Sequence, residues 1–248
     1  MNYNKVLIVG ASSGIGFHLA ELFLKKGYHV GAVGRNMDQL LALKNSFHES
    51  LFLLKTDITG KDCLPCIDSL VNEMQGIDYY IHCAAIIFRS KEPEWKTDNE
   101  MIATNVVAFT MLIDHIYHHF ALKNKGHITI ISSIAALRGG ASAPVYNASK
   151  AFQSSFAEGL FLQSKISNRK IHVLDIKPGY VETKMSQSGK KAFSVSAERS
   201  AALIANAILQ NKTKEIIPFQ WKLLMFFIQA IPTTTLAAVT SWWQRKHK

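Results

Sequence analysis

Seven short apolar runs recur along this chain, and a helical pattern separates nearly every one from the next. Lys5–Val9, His29–Val33, Leu51–Leu54, Asp78–Cys83, His127–Ile131, His172–Ile176 and Glu215–Pro218 read as strands, several of them rich in β-branched residues. After the first run, Phe17, Leu19, Ala20, Leu22, Phe23 and Leu24 keep a helical period until Gly27 stops it. Met37–Phe47, Lys61–Met74, a long region from about Trp95 to Phe120, the segment after Pro144 and Ala197–Leu209 repeat the pattern. Strands that alternate with helices and lack hairpin signals must be joined by crossovers, which makes them parallel and covers both faces of the sheet. The expectation is an α/β chain with a doubly wound, mostly parallel seven-stranded sheet. At 248 residues, 48% hydrophobic and 19% charged, the chain can fill one such core. No linker divides it, so residues 1–218 read as one domain and 219–248 as a separate tail.

The first strand runs into Gly10-Ala11-Ser12-Ser13-Gly14-Ile15-Gly16, and a helix follows. Glycines there permit a tight turn and close backbone approach, while the helix N-terminus offers free amides and a positive dipole to a pyrophosphate. The strand before and the helix after make this a dinucleotide turn of Rossmann type. Such folds identify the ribose at the end of the second strand, with an acid when the 2′-hydroxyl is free. Gly34-Arg35-Asn36 stands there instead. No carboxylate repels a phosphate, Arg35 can meet one with paired charged hydrogen bonds, and Ser12 and Ser13 can add hydroxyl donors. NADP(H) is therefore expected over NAD(H).

Tyr146-Asn147-Ala148-Ser149-Lys150 opens an apolar helical pattern through Phe152, Phe156, Leu160 and Phe161. Tyr and Lys at i and i+4 share one helix face, so both can reach into one cleft. An ammonium about 5 Å from a phenol, at an effective dielectric of about 20, favours the phenolate by roughly 3 kcal/mol. That equals about two pKa units, enough to make the tyrosine a usable acid/base. Alone, the pentapeptide reads rather as two solvated side chains on a helix.

It does not stand alone. The glycine spacing, Asn105, Ser133, Tyr146, Lys150 and Pro178-Gly179 together resemble the short-chain dehydrogenase/reductase family over about Lys5 to Pro218. The resemblance implies hydride transfer between a nicotinamide and a carbonyl or secondary alcohol. Its catalytic serine lies thirteen residues before the tyrosine, which selects Ser133 over Ser132. In the roles it implies, Tyr146 moves the proton, Ser133 holds the substrate oxygen, Lys150 lowers the Tyr146 pKa and binds the nicotinamide ribose, and Asn105 holds a water in a proton relay. It implies that Asp57 contacts the adenine and Thr183 the carboxamide region, with Ile58, Ala84, Pro178, Gly179 and Val181 also along the cofactor. It further implies a homodimer or homotetramer formed through the Asn105 and Tyr146 helices. Two segments depart from the family pattern: Val9 replaces a threonine, and His82-Cys83-Ala84-Ala85 replaces Asn-Asn-Ala-Gly. Those segments are expected to be near neighbours, with His82 a hydrogen-bonded structural histidine. A non-catalytic cofactor-binding scaffold, or an epimerase or dehydratase relative, stays open at this point.

Net charge of +10 raises the question of nucleic acid, but no reading helix or RNA-binding motif accompanies it, so no nucleic-acid partner is expected. Cys63, Cys66 and Cys83 are an odd set that suggests no disulfide framework and a cytoplasmic chain. Cys63-Leu64-Pro65-Cys66 lacks a second ligand pair, and His115, His118 and His119 read as surface or interface residues, so no metal is expected. Lys184–Val195 falls where the family carries a substrate lid; Lys184, Lys190 and Lys191 there could attract an anion, although a solvated loop fits better.

Phe219–Ile231 is apolar except for Gln220, Lys222 and Gln229. A helix with so narrow a polar stripe must be buried in protein or in lipid. Thirteen residues are too few for a span of about 20, and Pro232 suggests two short helices. Trp242-Trp243 and the basic end Arg245-Lys246-His247-Lys248 suit an anionic membrane surface. The tail is thus expected to roof the substrate cleft, to pack in an oligomer or to rest peripherally on the cytosolic face of a membrane. Each of these favours a lipophilic substrate.

Overall fold

The computed structural model describes residues 4–182 and 193–246. Its main sheet has seven parallel strands: β1 Lys5–Val9, β2 His29–Gly34, β3 Leu51–Lys55, β4 Tyr79–His82, β5 Lys125–Ile131, β6 Lys170–Pro178 and β9 Lys214–Ile217, in the order β3-β2-β1-β4-β5-β6-β9. Between β6 and β9, β7 Val181–Glu182 pairs with β8 Val195–Ser196 as a small separate ribbon. Strands of two residues carry no periodicity, which is why this ribbon was not expected.

Helices cover both faces. The core on one face joins α1 Gly14–Lys25, α2 Asp38–Ser46 and α7 Ala197–Leu209. The other face packs α3 Cys63–Glu73, α5 Phe109–Lys123 and α6 Pro144–Ile166. Local chemistry sets the helix ends. Gly27, at φ +79°, closes α1 with bonds from Gly27 N to Leu24 O and Tyr28 N to Phe23 O. Pro144 opens α6, and the Ser196 hydroxyl caps α7 by accepting from Arg199 N at 3.1 Å.

The long helix expected over Trp95–Phe120 is present but changes its winding. α4 Trp95–Ile102 passes through a π-helical turn, Ala103–Ala108, before α5 begins. Asn105 lies inside that turn. A π turn displaces backbone carbonyls from their usual partners, and such turns gather at functional sites.

The chain leaves β1 toward β2 and β3, then returns to place β4 on the other side of β1. That reversal opens a crevice beyond the C-terminal strand ends, the usual ligand position in a doubly wound sheet. The tail forms α8 Phe219–Ala230 and α9 Thr233–Lys246, broken at Pro232 as expected.

Candidate active site

A cleft of about 750 Å³ occupies that crevice. Its floor comes from the ends of β1, β2, β4, β5 and β6, through Gly10, Gly34, Cys83, Ile131 and Pro178. Gly10 has φ +88°, and a Cβ on it would sit 2.5 Å from Ala84 N, so only glycine fits where the first turn meets the end of β4. Val9 pairs with His82 in register, and Cys83 N donates to Val9 O at 2.8 Å. The two departures from the family pattern are therefore in direct contact, as expected. His82 bridges Tyr80 OH at 2.9 Å and Ala84 O at 3.1 Å. Burial, aided by the nearby Lys150 charge, pushes its pKa down to about 3, so it stays neutral and structural.

At the cofactor end, Ser13 occupies the N-cap of α1 in extended backbone, and no side chain caps the helix. The first-turn amides remain open to the cleft and no acid stands in that turn, so the lining of Ser12, Ser13, Gly14 and Ile15 fits a pyrophosphate. Arg35 lies 3.7 Å from Asp57, and both line the cleft with Thr56 and Ile58. Asp57 is held ionised first by bonds from Thr59 N and Oγ1, at 2.9 and 2.7 Å, and then by Arg35. Ala84, Gly179 and Val181 line the same space; Thr183 and the loop lysines Lys184, Lys190 and Lys191 lie outside the described residues.

Ser133, Tyr146 and Lys150 converge on the middle of the cleft. Burial raises the Tyr146 pKa, while the hydrogen-bonded Ser133 hydroxyl and then the Arg89 charge pull it back down. Ser132 also lines the cleft, but its hydroxyl is engaged with β6, 2.5 Å from Asp175 Oδ1 and 3.0 Å from Ile176 O.

Lys150 is buried close to Tyr146. Its ammonium donates to Ile131 O at 2.9 Å and to Gln153 Oε1 at 2.8 Å, and it lies 5.8 Å from the Tyr146 ring centre. Burial lowers its own pKa to about 8, against support from Cys83 and Asp175. The charge that draws the Tyr146 pKa down is that of Arg89, while the Lys150 ammonium is held by Ile131 O and Gln153 Oε1.

The expected water-holding role of Asn105 also meets a fuller network. Its side chain is fully buried, donating to Ile86 O at 2.8 Å and Ser149 Oγ at 3.2 Å and accepting from Ile86 N at 2.9 Å. Its backbone carbonyl, inside the π turn, accepts from Gln153 Nε2 at 2.9 Å. Gln153 therefore bridges Asn105 to Lys150. Sequence reading passed over Gln153 because a buried amide three residues past the lysine looks like any polar helix position. It passed over Arg89 because a loop arginine carries no spacing signal.

The far wall belongs to the tail. Trp221, Leu224, Met225 and Ile228 of α8 line the cleft opposite the strand ends. Trp221 is buried edge-on to Tyr180 and Phe193 and donates to Phe193 O at 3.3 Å. Arg138 clamps α8 by donating to Ile228 O and Gln229 O at 3.0 and 2.9 Å, and Asn147, beside Tyr146, holds Arg138 O at 2.7 Å.

Of the other sequence candidates, Cys83 lies in the cleft floor, and His115, His118, His119, Cys63 and Cys66 do not line the cleft. His115 reaches Asp68 of α3 at 2.6 Å, a partner that local pattern could not show. Cys63, Cys66 and Cys83 are free thiols, and burial pushes Cys63 up to about 11 and Cys83 up to about 12. No group of three metal-ligating side chains occurs among the described residues.

Comparison with known proteins accords with this geometry. The chain is 28% identical over 241 residues to an uncharacterized oxidoreductase of Myxococcus xanthus, covering 94% of this chain and 91% of that one. It is 30% identical over 181 residues to the NADP-dependent 3-hydroxy acid dehydrogenase YdfG of Escherichia coli, covering 71% and 72%. Among solved structures, a short-chain dehydrogenase from Sphingobium yanoikuyae in complex with NADPH superposes with a TM-score of 0.77 at 22% identity, over 93% of this chain and 97% of that one. The family profile described as short chain dehydrogenase matches residues 4–192, and with seven parallel strands and a glycine turn at their switch point, this chain belongs to the short-chain dehydrogenase family.

Proposed function

We propose that this protein is an NADP(H)-dependent carbonyl reductase, or the reverse secondary-alcohol dehydrogenase, acting on an apolar substrate. The carrying observation is the Ser133–Tyr146 hydroxyl pair on one side of a cleft whose opposite wall is Trp221, Leu224, Met225 and Ile228. Bound NADPH supplies the hydride. In that direction Tyr146 gives its proton to the carbonyl oxygen, and Ser133 steadies the charge developing there. Lys150 and Asn105, tied together by Gln153, keep the floor beneath Tyr146 in place. Arg35 and the open first turn of α1 favour a 2′-phosphorylated dinucleotide, in line with the NADP(H) named for the two similar proteins. The apolar far wall favours a lipophilic substrate. A homodimer or homotetramer through α5 and α6 would cover Val107, Phe152, Leu162 and Ile166, all exposed in the single chain.

The test follows NADPH oxidation over a panel of apolar ketones and ketoacyl esters. Tyr146→Phe is expected to lower kcat by about 10²–10⁴-fold with NADPH binding retained. Turnover undiminished by that substitution would sink the reading.

A further inference from the structure

α8 presents two apolar faces. Trp221, Leu224, Met225 and Ile228 follow a spacing of three, four and seven and face the cleft. Phe219, Leu223, Phe226 and Phe227 fall on the other side, and with Val239 and Trp242 of α9 each is 55–72% exposed. Single exposed apolar residues are ordinary, but four large ones on one face of α8, with two more on α9, mark a contact surface.

Three observations identify what contacts it. The stretch from Phe219 to the last residue carries Lys222, Arg245, Lys246 and Lys248 and no Asp or Glu, so its formal charge is of one sign, and Lys222 and Arg245 are exposed. A two-fold contact between copies would set that surface against itself and bring like charges together, whereas an anionic lipid surface complements it. No single helix among the described residues is long and apolar enough to cross a membrane, yet α8 and the start of α9 pass that test as a pair bent by 114°. A bent, aromatic, basic-edged pair can lie in an interface without spanning it. Finally, α8 is fastened to the active-site loop: Arg138 holds its last carbonyls, and Gln229 Nε2 donates to Leu137 O at 3.4 Å.

We propose that α8 and α9 form a bent docking pair whose exposed apolar residues seat on an anionic bilayer, so that the cleft behind α8 opens at the lipid surface. Docking stands on the pair alone. Delivery of an apolar carbonyl substrate from lipid to Tyr146 rests in addition on the function proposed above.

The test uses the full chain with vesicles of phosphatidylcholine, alone or mixed with phosphatidylglycerol, in a flotation assay, and NADPH binding is measured on the same samples. Wild type is expected to float with the anionic vesicles and far less with the neutral ones. Phe226→Asp with Phe227→Asp, both away from the cleft, should weaken partitioning about 100-fold while NADPH binding stays intact. Lys222→Glu with Arg245→Glu, which leaves the apolar ridge in place, should remove the preference for phosphatidylglycerol. Wild type remaining unfloated with both vesicle types overturns the proposal, as does flotation unaffected by the aspartate pair. A dimer that the aspartate pair dissociates, without flotation of wild type, assigns the face to a second copy and also overturns it. Failure of NADPH binding with flotation intact would count against the proposed enzyme activity and leave docking standing.

Discussion

Gln153 Oε1 lies 2.8 Å from the Lys150 ammonium, and its amide nitrogen lies 2.9 Å from the backbone carbonyl of Asn105. One fully buried side chain therefore ties the lysine of α6 to the π turn that precedes α5. Replacing it by leucine would leave Asn105 O without that donor and remove one of the acceptors of Lys150. Gln153→Leu is expected to cost about 1–3 kcal/mol of stability. In a chain of this size that lowers Tm by roughly 2–12 °C. Calorimetry on the purified variant checks it, and an unchanged Tm would show the bridge to be dispensable.

Lys150 makes the stability of the cofactor-free protein depend on pH. Its folded pKa of about 8 lies below the ordinary lysine value, so between about pH 8 and 10.5 the unfolded chain binds a proton that the folded chain has released. Stability from this group therefore rises with pH across that window. Below pH 8 both states carry the charge, and the folded state bears the whole cost of burying it. Relative to Lys150→Met, wild type should gain about 3 kcal/mol over the window. Parallel urea titrations at pH 7.5 and 10.5 measure the difference; identical gaps at both pH values would refute the assignment.

Arg89 lowers the Tyr146 pKa, after Ser133 the larger of the two lowering influences. Arg89→Ala should let that pKa rise. In the reducing direction Tyr146 must be protonated, so the alkaline limb of the rate profile should move to higher pH. In the oxidising direction the rising limb should move the same way. Profiles of kcat against pH for both proteins decide it, and superimposed limbs would remove Arg89 from the account.

Gly179 marks where the tail presses on the catalytic domain. A Cβ there would lie 2.2 Å from the Trp221 ring, a contact that only movement of the indole can relieve. Gly179→Ala is expected to displace Trp221 from its place against Tyr180 and Phe193, to shift α8 and to raise KM for apolar substrates by about 10-fold, equivalent to roughly 1.4 kcal/mol. Tryptophan emission would move to the red. Unchanged emission and KM would mean that α8 does not set the far wall in solution.

Much of this molecule is written in short-range pattern. The strand runs, the glycine turn and the helix stops at Gly27 and Pro232 each depend on neighbours within a few residues. Backbone conformation and periodicity are local properties, so the seven strands were legible, and their alternation with helices made them parallel. The Tyr146–Lys150 pair was legible for the same reason, since i and i+4 share a helix face whatever the rest of the chain does. Asn105 and Ser133 could be placed only by resemblance to a family.

What remained hidden depended on distance through space. That Ile131 and Gln153 hold the Lys150 ammonium was not legible, and the reach of Gln153 to Asn105 exists only because a π turn aims a carbonyl at α6. The charge of Arg89 matters because a loop brings it to the cleft. The apolar tail announced a need for burial but not its direction, and only the folded chain divides α8 into one face on the cleft and one left open. The sequence by itself determined which side chains could do chemistry. The tertiary structure decided which of them meet, because burial and the orientation of charged and amide groups are set by packing between elements distant in the chain.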